Sequence, residues 1–170
     1  GNLVALDVPV EDARPEVRRA WEFAQAVIAR RLGSPGAGGL SQAQHTAWLQ
    51  ERVAPWMRSQ LEAAQEVEAA VRQISSADPR EALFAAVLVA WLYDDLYGQL
   101  RSIPTPHALA VSPEASQAFQ DQLAVSASPV AARARAAFGL CVERAYAAPE
   151  GMRPWGTYCS QRVAALPGAR

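Results

Sequence analysis

Lysine is absent from this chain of 170 residues, and all sixteen of its basic residues are arginine. Without lysine the chain cannot form a Schiff base, attach pyridoxal phosphate or supply the lysine of a phosphate-binding loop. Histidine occurs only as His45 and His107, both far in sequence from the two cysteines, which argues against a Cys/His zinc site. The Gly-x-Ser-x-Gly turn of serine hydrolases is also missing. The sequence therefore predicts a protein that is not an enzyme and that holds no metal ion and no cofactor.

Long apolar runs and an excess of one charge are lacking too. No apolar run reaches the roughly 18 residues that a membrane-spanning helix needs. The formal net charge is −1, which argues against a nucleic-acid binder that neutralises phosphates and against a polybasic protein of membrane surfaces. The apolar run at residues 82–93 is too short to cross a bilayer, and we interpret it as a buried central helix.

Alanine, in contrast, is abundant, with 36 residues. Alanine is the best helix former, and clusters of β-branched and aromatic residues, which favour strands, are sparse. The apolar fraction of 51% is enough for a core. We therefore predict one all-α domain over residues 14–170, with five to seven helices in antiparallel hairpins. Residues 1–13 mix leucine and valine with Asp7 and Pro9, which indicates an extended arm, a short strand or a tether from a membrane-anchored N-terminus.

Capping residues and prolines indicate where the first two helices begin. Pro15 suits the first turn of a helix that we expect over residues 15–32. Ser41 is a good N-cap for a second, longer helix over residues 41–74. Pro55 lies inside that second helix, so we expect a kink or a break there.

The same signals divide the rest of the chain. Asp78 as N-cap and Pro79 at the first position start a third helix, which contains the apolar run. Further helices are predicted over residues 113–124, 129–147 and 154–166.

Cys141 and Cys159 are the only cysteines. They lie nine residues before and nine residues after Glu150, each within a helical pattern, and the stretch 147–154 between them is rich in helix-breaking residues. If the chain folds back there, the two thiols meet across an antiparallel helical hairpin, which predicts a disulfide. A disulfide would place the protein outside the reducing cytosol, and two buried reduced thiols are the alternative.

Asp94 and Asp95 are the best acid–base candidates, because paired carboxylates can serve catalysis when their pKa values are pushed apart. Adjacent residues of a helix point about 100° apart, so the two carboxylates would not share one site. We therefore expect a structural role, with Asp94 paired to Arg101 and Asp95 solvated or capping.

The last third of the chain resembles the helical hairpins of tetratricopeptide-like proteins. Ala134, Phe138 and Cys141 reproduce the small–aromatic–small spacing of a repeat's second helix, and Trp155 and Tyr158 resemble the opening of the next helix. Residues 80–166 are similar to cell-envelope members of this family from GC-rich, myxobacteria-like organisms. An irregular helical bundle with one repeat-like hairpin stays open as the alternative architecture.

This resemblance implies a protein-binding adaptor or assembly factor, exported by a bacterium to the periplasm or the outer membrane. A structural lipoprotein whose N-terminal arm is a tether is a further interpretation. Its partner would be another envelope protein or a peptide segment. The residues that we expect on its binding face are Tyr93, Asp94, Tyr97 and Arg101, and the mode would be helix-in-groove or extended-peptide capture. The alternative is a small envelope ligand-binding protein or hydrolase, with a pocket near the loop that contains Pro104 and His107. The sequence leaves the oligomeric state open.

Overall fold

The computed structural model describes residues 14–33, 35, 40–74 and 78–168, and over these residues the chain forms helices and no strand. The α-helices are α1 (Pro15–Ile28), α2 (Gln42–Trp48), α3 (Ala54–Arg72), α4 (Pro79–Arg101), α5 (His107–Ala110), α6 (Pro113–Ala147) and α7 (Arg153–Ala165). The predicted all-α fold class is confirmed. The arm expected at residues 1–13 lies outside the described residues.

Helix α1 begins at Pro15 as predicted, but it ends at Ile28 rather than near residue 32. Side chains of α3 account for this early end. Gln60 donates hydrogen bonds to the carbonyl oxygens of Val27 (3.1 Å) and Arg30 (2.7 Å), and Trp56 Nε1 donates to Arg30 O (2.9 Å). Helix α3 thus supplies donors to the carbonyl groups of Val27, in the last turn of α1, and of Arg30, just beyond its end, so the helix does not need to continue.

The second helix begins with the capping box of Ser41 and Gln44, each side chain bonded to the other residue's backbone N–H. The irregularity expected at Pro55 takes the form of a π-helical turn, Leu49–Val53, which joins α2 to α3 without a break. Proline has no N–H and cannot take its place in the regular hydrogen-bond ladder. The wider turn just before Pro55 accommodates that loss.

Helix α4 is the central helix of the molecule. The Asp78 side chain accepts a hydrogen bond from Arg80 N (2.9 Å), and Pro79 occupies the first turn, as predicted. Most residues of the apolar run are buried, and α1, α3 and α6 all pack against this helix. A helix that is apolar all round has to be enclosed in this way.

The sequence predicted two helices here, over residues 113–124 and 129–147, and this prediction is wrong because the structure has one helix, α6. The helix runs from Pro113 to Ala147 with Pro129 inside it. Packing on both sides explains the continuity, since Leu123 and Val130 both contact the core. The carbonyl group of Val125, which proline leaves without its helical donor, belongs to a residue that is largely exposed.

Aromatic side chains connect the helices across the core. Ring centroids of Trp21 and Trp91 lie 6.2 Å apart, those of Trp91 and Trp155 6.4 Å, and those of Trp155 and Tyr158 6.3 Å. Tyr158 in turn meets Phe138 edge-on at 6.0 Å. One row of aromatic contacts therefore runs from α1 through α4 to the hairpin of α6 and α7.

The disulfide between Cys141 and Cys159 joins α6 to α7, with the two Cα atoms 6.1 Å apart. Both cysteines are fully buried, and the short 3₁₀ turn Glu150–Met152 reverses the chain between the helices. The predicted hairpin disulfide is confirmed. Among the helices described, none is both long enough and apolar enough to cross a membrane.

Candidate functional site

A groove with a volume of about 1010 Å³ runs along the outer face of α4, between α3 and α6. Its floor consists of small apolar side chains of α4, namely Ala82, Ala85, Ala86 and Val89. One side of the groove is open to solvent. Because the floor residues are short, a bound segment can approach the backbone of α4 closely.

The α6 wall of the groove combines apolar and basic residues. Ala136, Ala137 and Leu140 lie between Arg133 and Arg144, all at helical spacing on one side of α6. Leu140 is 42% exposed, and it adjoins the exposed Ala136 and the partly buried Ala137, so the apolar surface here is a patch rather than a single residue. This wall is a second apolar stripe of α6, separate from the stripe that faces the core.

The α3 wall is mostly polar, with Gln65, Glu68 and Arg72 facing the groove, and it also includes the apolar residues Val71 and Ile74 near the end of the helix. Arg72 forms an ion pair with Glu68 one turn away (N···O 3.0 Å). The two walls therefore differ, because α3 offers hydrogen-bonding groups and α6 offers an apolar surface with a cation at each end.

Tyr93 closes one end of the groove. Its hydroxyl donates a hydrogen bond to Glu68 Oε2 (2.9 Å) and accepts one from Arg133 NH1 (2.9 Å). The Arg133 guanidinium also lies over the Tyr93 ring, 5.5 Å from its centroid. The side chain is 1% exposed, so this phenol links α3, α4 and α6 from within the molecule.

Burial and hydrogen bonding shift the pKa values of Tyr93 and Arg133. Burial raises the pKa of Tyr93 above its usual value, and the hydrogen bond to Glu68 raises it further, while the hydrogen bond from Arg133 opposes both. The hydrogen bond to Tyr93 raises the pKa of Arg133. The phenol therefore remains protonated and the guanidinium charged at neutral pH, so the cluster acts as a fixed structural bridge.

The four residues predicted on the binding face lie within about 100° of one another around α4. Their contacts nevertheless differ. Tyr93 lines the groove, whereas Asp94 accepts two hydrogen bonds from Arg162 of α7 (2.6 and 2.9 Å). The expected pair of Asp94 with Arg101 is wrong, because two turns of helix separate these residues by about 10 Å and α7 brings Arg162 closer.

Arg101 and Tyr97 also make contacts within the chain. Arg101 donates a hydrogen bond to the backbone carbonyl of Gln120 in α6 (3.0 Å), and the half-buried Tyr97 ring packs against the core. The structure thus brings one of the four predicted residues, Tyr93, to the groove, whereas two of them bond to neighbouring helices and Tyr97 packs against the core. Binding of a partner by these residues stays a prediction.

Asp95, which was expected to be solvated or capped, is partly exposed and is held by two neighbouring side chains. It accepts hydrogen bonds from Arg31 (2.7 Å) and from Gln99 Nε2 (2.6 Å). Gln99 in turn accepts a hydrogen bond from Leu32 N (2.9 Å). This network attaches the segment after α1 to α4, and it offers no acid–base pair with Asp94, which points to α7.

The alternative pocket was expected near the loop that contains Pro104 and His107. His107 is exposed at the start of the short helix α5. His45, by contrast, is buried, where its Nε2 atom lies 3.1 Å from the carbonyl oxygen of Pro104 and its ring meets Phe119 edge-on. The loop is therefore attached to α2 by a packed histidine, and this contact explains the burial of His45.

Sequence reasoning missed most of the groove, although one signal for it was present. The stripe of Ala136, Ala137 and Leu140 lies about 100° from the core stripe of Phe138 and Cys141 around the same helix. Two apolar stripes on one helix indicate that it has two contact surfaces, and the fold buries only one of them.

Metal ligation finds no support in the part of the chain that the structure describes, where no three His, Cys, Asp or Glu side chains come together. Comparison of the chain with protein-family models, curated proteins and solved structures finds no match. The tetratricopeptide-like and envelope assignments therefore stay predictions. The disulfide is compatible with export to an oxidising compartment.

Proposed function

We propose that this chain is a non-catalytic adaptor or assembly factor that holds a segment of another protein in the groove between α3 and α6. The observation that carries the proposal is the exposed apolar wall around Leu140, above a floor of alanines. An apolar surface of this kind, rimmed by polar groups, is typical of a protein-binding site. Its floor and walls come from three helices that pack on one core, so the groove exists before a partner arrives.

The proposed location is the bacterial envelope, in the periplasm or at the outer membrane. The Cys141–Cys159 disulfide supports export, because such bonds persist in oxidising compartments. The partner would accordingly be another envelope protein or a peptide segment of one. The net charge of −1 and the absence of lysine give no support to nucleic-acid binding.

In this proposal the four predicted residues have different roles. Tyr93 supports the closed end of the groove from within, because its hydroxyl fixes Glu68 and Arg133, which line the groove. Asp94 and Arg101 act indirectly, since their hydrogen bonds attach α7 and α6 to α4, and Tyr97 packs against the core.

Photo-crosslinking in the native envelope tests the proposal. A photoreactive amino acid would replace Leu140 in the groove or, as the control, Val111, which is 77% exposed and does not line the groove. We expect a discrete adduct from position 140 and none from position 111, and mass spectrometry would identify the partner as an envelope protein. No adduct from position 140, or the same adducts from both positions, would contradict the proposal.

A further inference from the structure

We propose that the segment held in the groove is an acidic amphipathic α-helix of about three turns from the partner protein. This inference rests on the proposed function and specifies the chemistry of the occupant. It follows from three properties of the groove: the absence of hydrogen-bonding groups on its floor, its length, and the excess of arginine on its rim.

The floor favours a helix over an extended peptide. An extended segment needs partners for its backbone N–H and C=O groups. The floor offers only the methyl and isopropyl groups of Ala82, Ala85, Ala86 and Val89, and the backbone of α4 is already bonded within its own helix. A helix satisfies its own backbone and can place apolar side chains on these alanines, which permit close approach of the two helix axes.

The length of the groove sets the length of the helix. The α6 wall extends over the twelve residues from Arg133 to Arg144, which places its ends about 16 Å apart at a rise of 1.5 Å per residue. Tyr93 and its hydrogen bonds to Glu68 and Arg133 close the floor at one end. Three turns of an incoming helix would fill this length, with apolar residues at i, i+3, i+4 and i+7 facing Leu140 and the alanines.

The charges on the rim specify an acidic partner. The charged side chains that line the groove are Arg72, Arg133, Arg144 and Glu68, three cations and one anion. Glu68 accepts hydrogen bonds from Arg72 and Tyr93, whereas the side chain of Arg144 forms no hydrogen bond or ion pair with the rest of the described chain. Carboxylates on the flanks of a bound helix would complement this excess of positive charge.

Selection from a peptide-display library tests the inference without assuming a partner sequence. The library carries random peptides of about 14 residues, long enough for roughly four turns of helix. The native protein with its disulfide intact is the target. Binders are counter-selected against Ala136→Trp, which fills the groove from an exposed position of α6. We expect the selected peptides to carry the helical apolar spacing, to be enriched in Asp and Glu, and to become helical on binding.

Two charge-reversal variants then test the role of the rim. Arg144→Glu should lower the affinity of the protein for the selected acidic peptides about 5-fold in low salt. The effect should be smaller in high salt, because salt screens the interaction between exposed charges. Arg58→Glu is the matched control, because Arg58 is an exposed arginine of α3 that does not line the groove, and it should leave the affinity unchanged.

The outcomes separate this inference from the proposed function. Groove-dependent peptides that are basic, or that bind in extended form, would overturn the acidic helix while leaving segment capture in place. Failure to select any peptide that distinguishes the native protein from Ala136→Trp would contradict both.

Discussion

The Tyr93 hydroxyl connects three helices through one oxygen atom. It donates to Glu68 of α3 and accepts from Arg133 of α6, although it belongs to α4. Since the hydroxyl is buried, its removal would leave Glu68 and Arg133 without this partner. The closed end of the groove therefore depends on a single side chain.

Tyr93→Phe should lower the free energy of unfolding by about 1–3 kcal/mol, because it removes two hydrogen bonds to charged groups and leaves the ring in place. Urea denaturation measures the change. Tyr146→Phe is the control, since Tyr146 is 89% exposed, and it should leave stability unaltered. Equal stability of the two variants would show that the hydroxyl bridge contributes nothing to the fold.

Tyr93, which is buried, and Tyr158, which is partly buried, predict a loss of stability in alkali. Burial raises the pKa of Tyr93 and of Tyr158 in the folded state. Folding stability that depends on the protonated phenols is therefore fully present below about pH 10, their ordinary pKa, and is lost as the pH rises through the higher folded values.

Urea denaturation from neutral to strongly alkaline pH measures this dependence. The wild-type protein should lose more stability above about pH 10 than the double variant Tyr93→Phe with Tyr158→Phe, which has neither titrating group. Parallel curves for the two proteins would mean that these phenols are not the groups responsible.

Among the helices, α6 departs most from the regular pattern. Pro129 lies within it, at a point where the helix continues because both of its halves pack on the core. Local chemistry at this position favours a break, and tertiary packing overrides it. The folded protein is therefore still destabilised by having a proline inside a helix.

Pro129→Ala should raise the free energy of unfolding by about 1–3 kcal/mol, because alanine restores the backbone N–H and relieves the crowding in the preceding turn. Pro113→Ala gives the comparison, since Pro113 occupies the first turn of the same helix, where proline is well tolerated. A loss of stability in Pro129→Ala would indicate that the core requires the local geometry that proline imposes.

The sequence predicted helix starts better than helix ends or continuations. Ser41 and Asp78 carry the capping chemistry on their own side chains, so they could be identified without a structure. The end of α1 depends on Gln60 and Trp56 of another helix, and the continuity of α6 depends on packing against α4. Such long-range contacts have no local signal.

Across the whole molecule, the groove results from the way α3 and α6 pack on α4. Tyr93 was predicted as part of a binding face, and the hairpin disulfide was predicted from two cysteines and the turn between them. The separation of the two walls could not be predicted, because it depends on how three helices pack. The exposed stripe around Leu140 was its one sequence signal.

The disulfide should contribute to the stability of the hairpin that carries the α6 wall. Cys141 and Cys159 are 18 residues apart, and in the chain-entropy model a disulfide that closes a loop of this size stabilises the folded protein by about 3 kcal/mol. The double variant Cys141→Ala with Cys159→Ala should lose about that much in urea denaturation, and reductant should not affect it further. A double variant as stable as the wild-type protein would contradict this role.

The most direct test of the account is the affinity of the crosslinked partner segment for two tryptophan variants. Ala136→Trp fills the groove, and Ala164→Trp adds the same side chain at an exposed position of α7 away from it. We predict, by isothermal titration calorimetry, that the first variant loses binding and the second binds like the wild-type protein. Unchanged binding to Ala136→Trp would contradict the claim that the groove over α4 is the binding site.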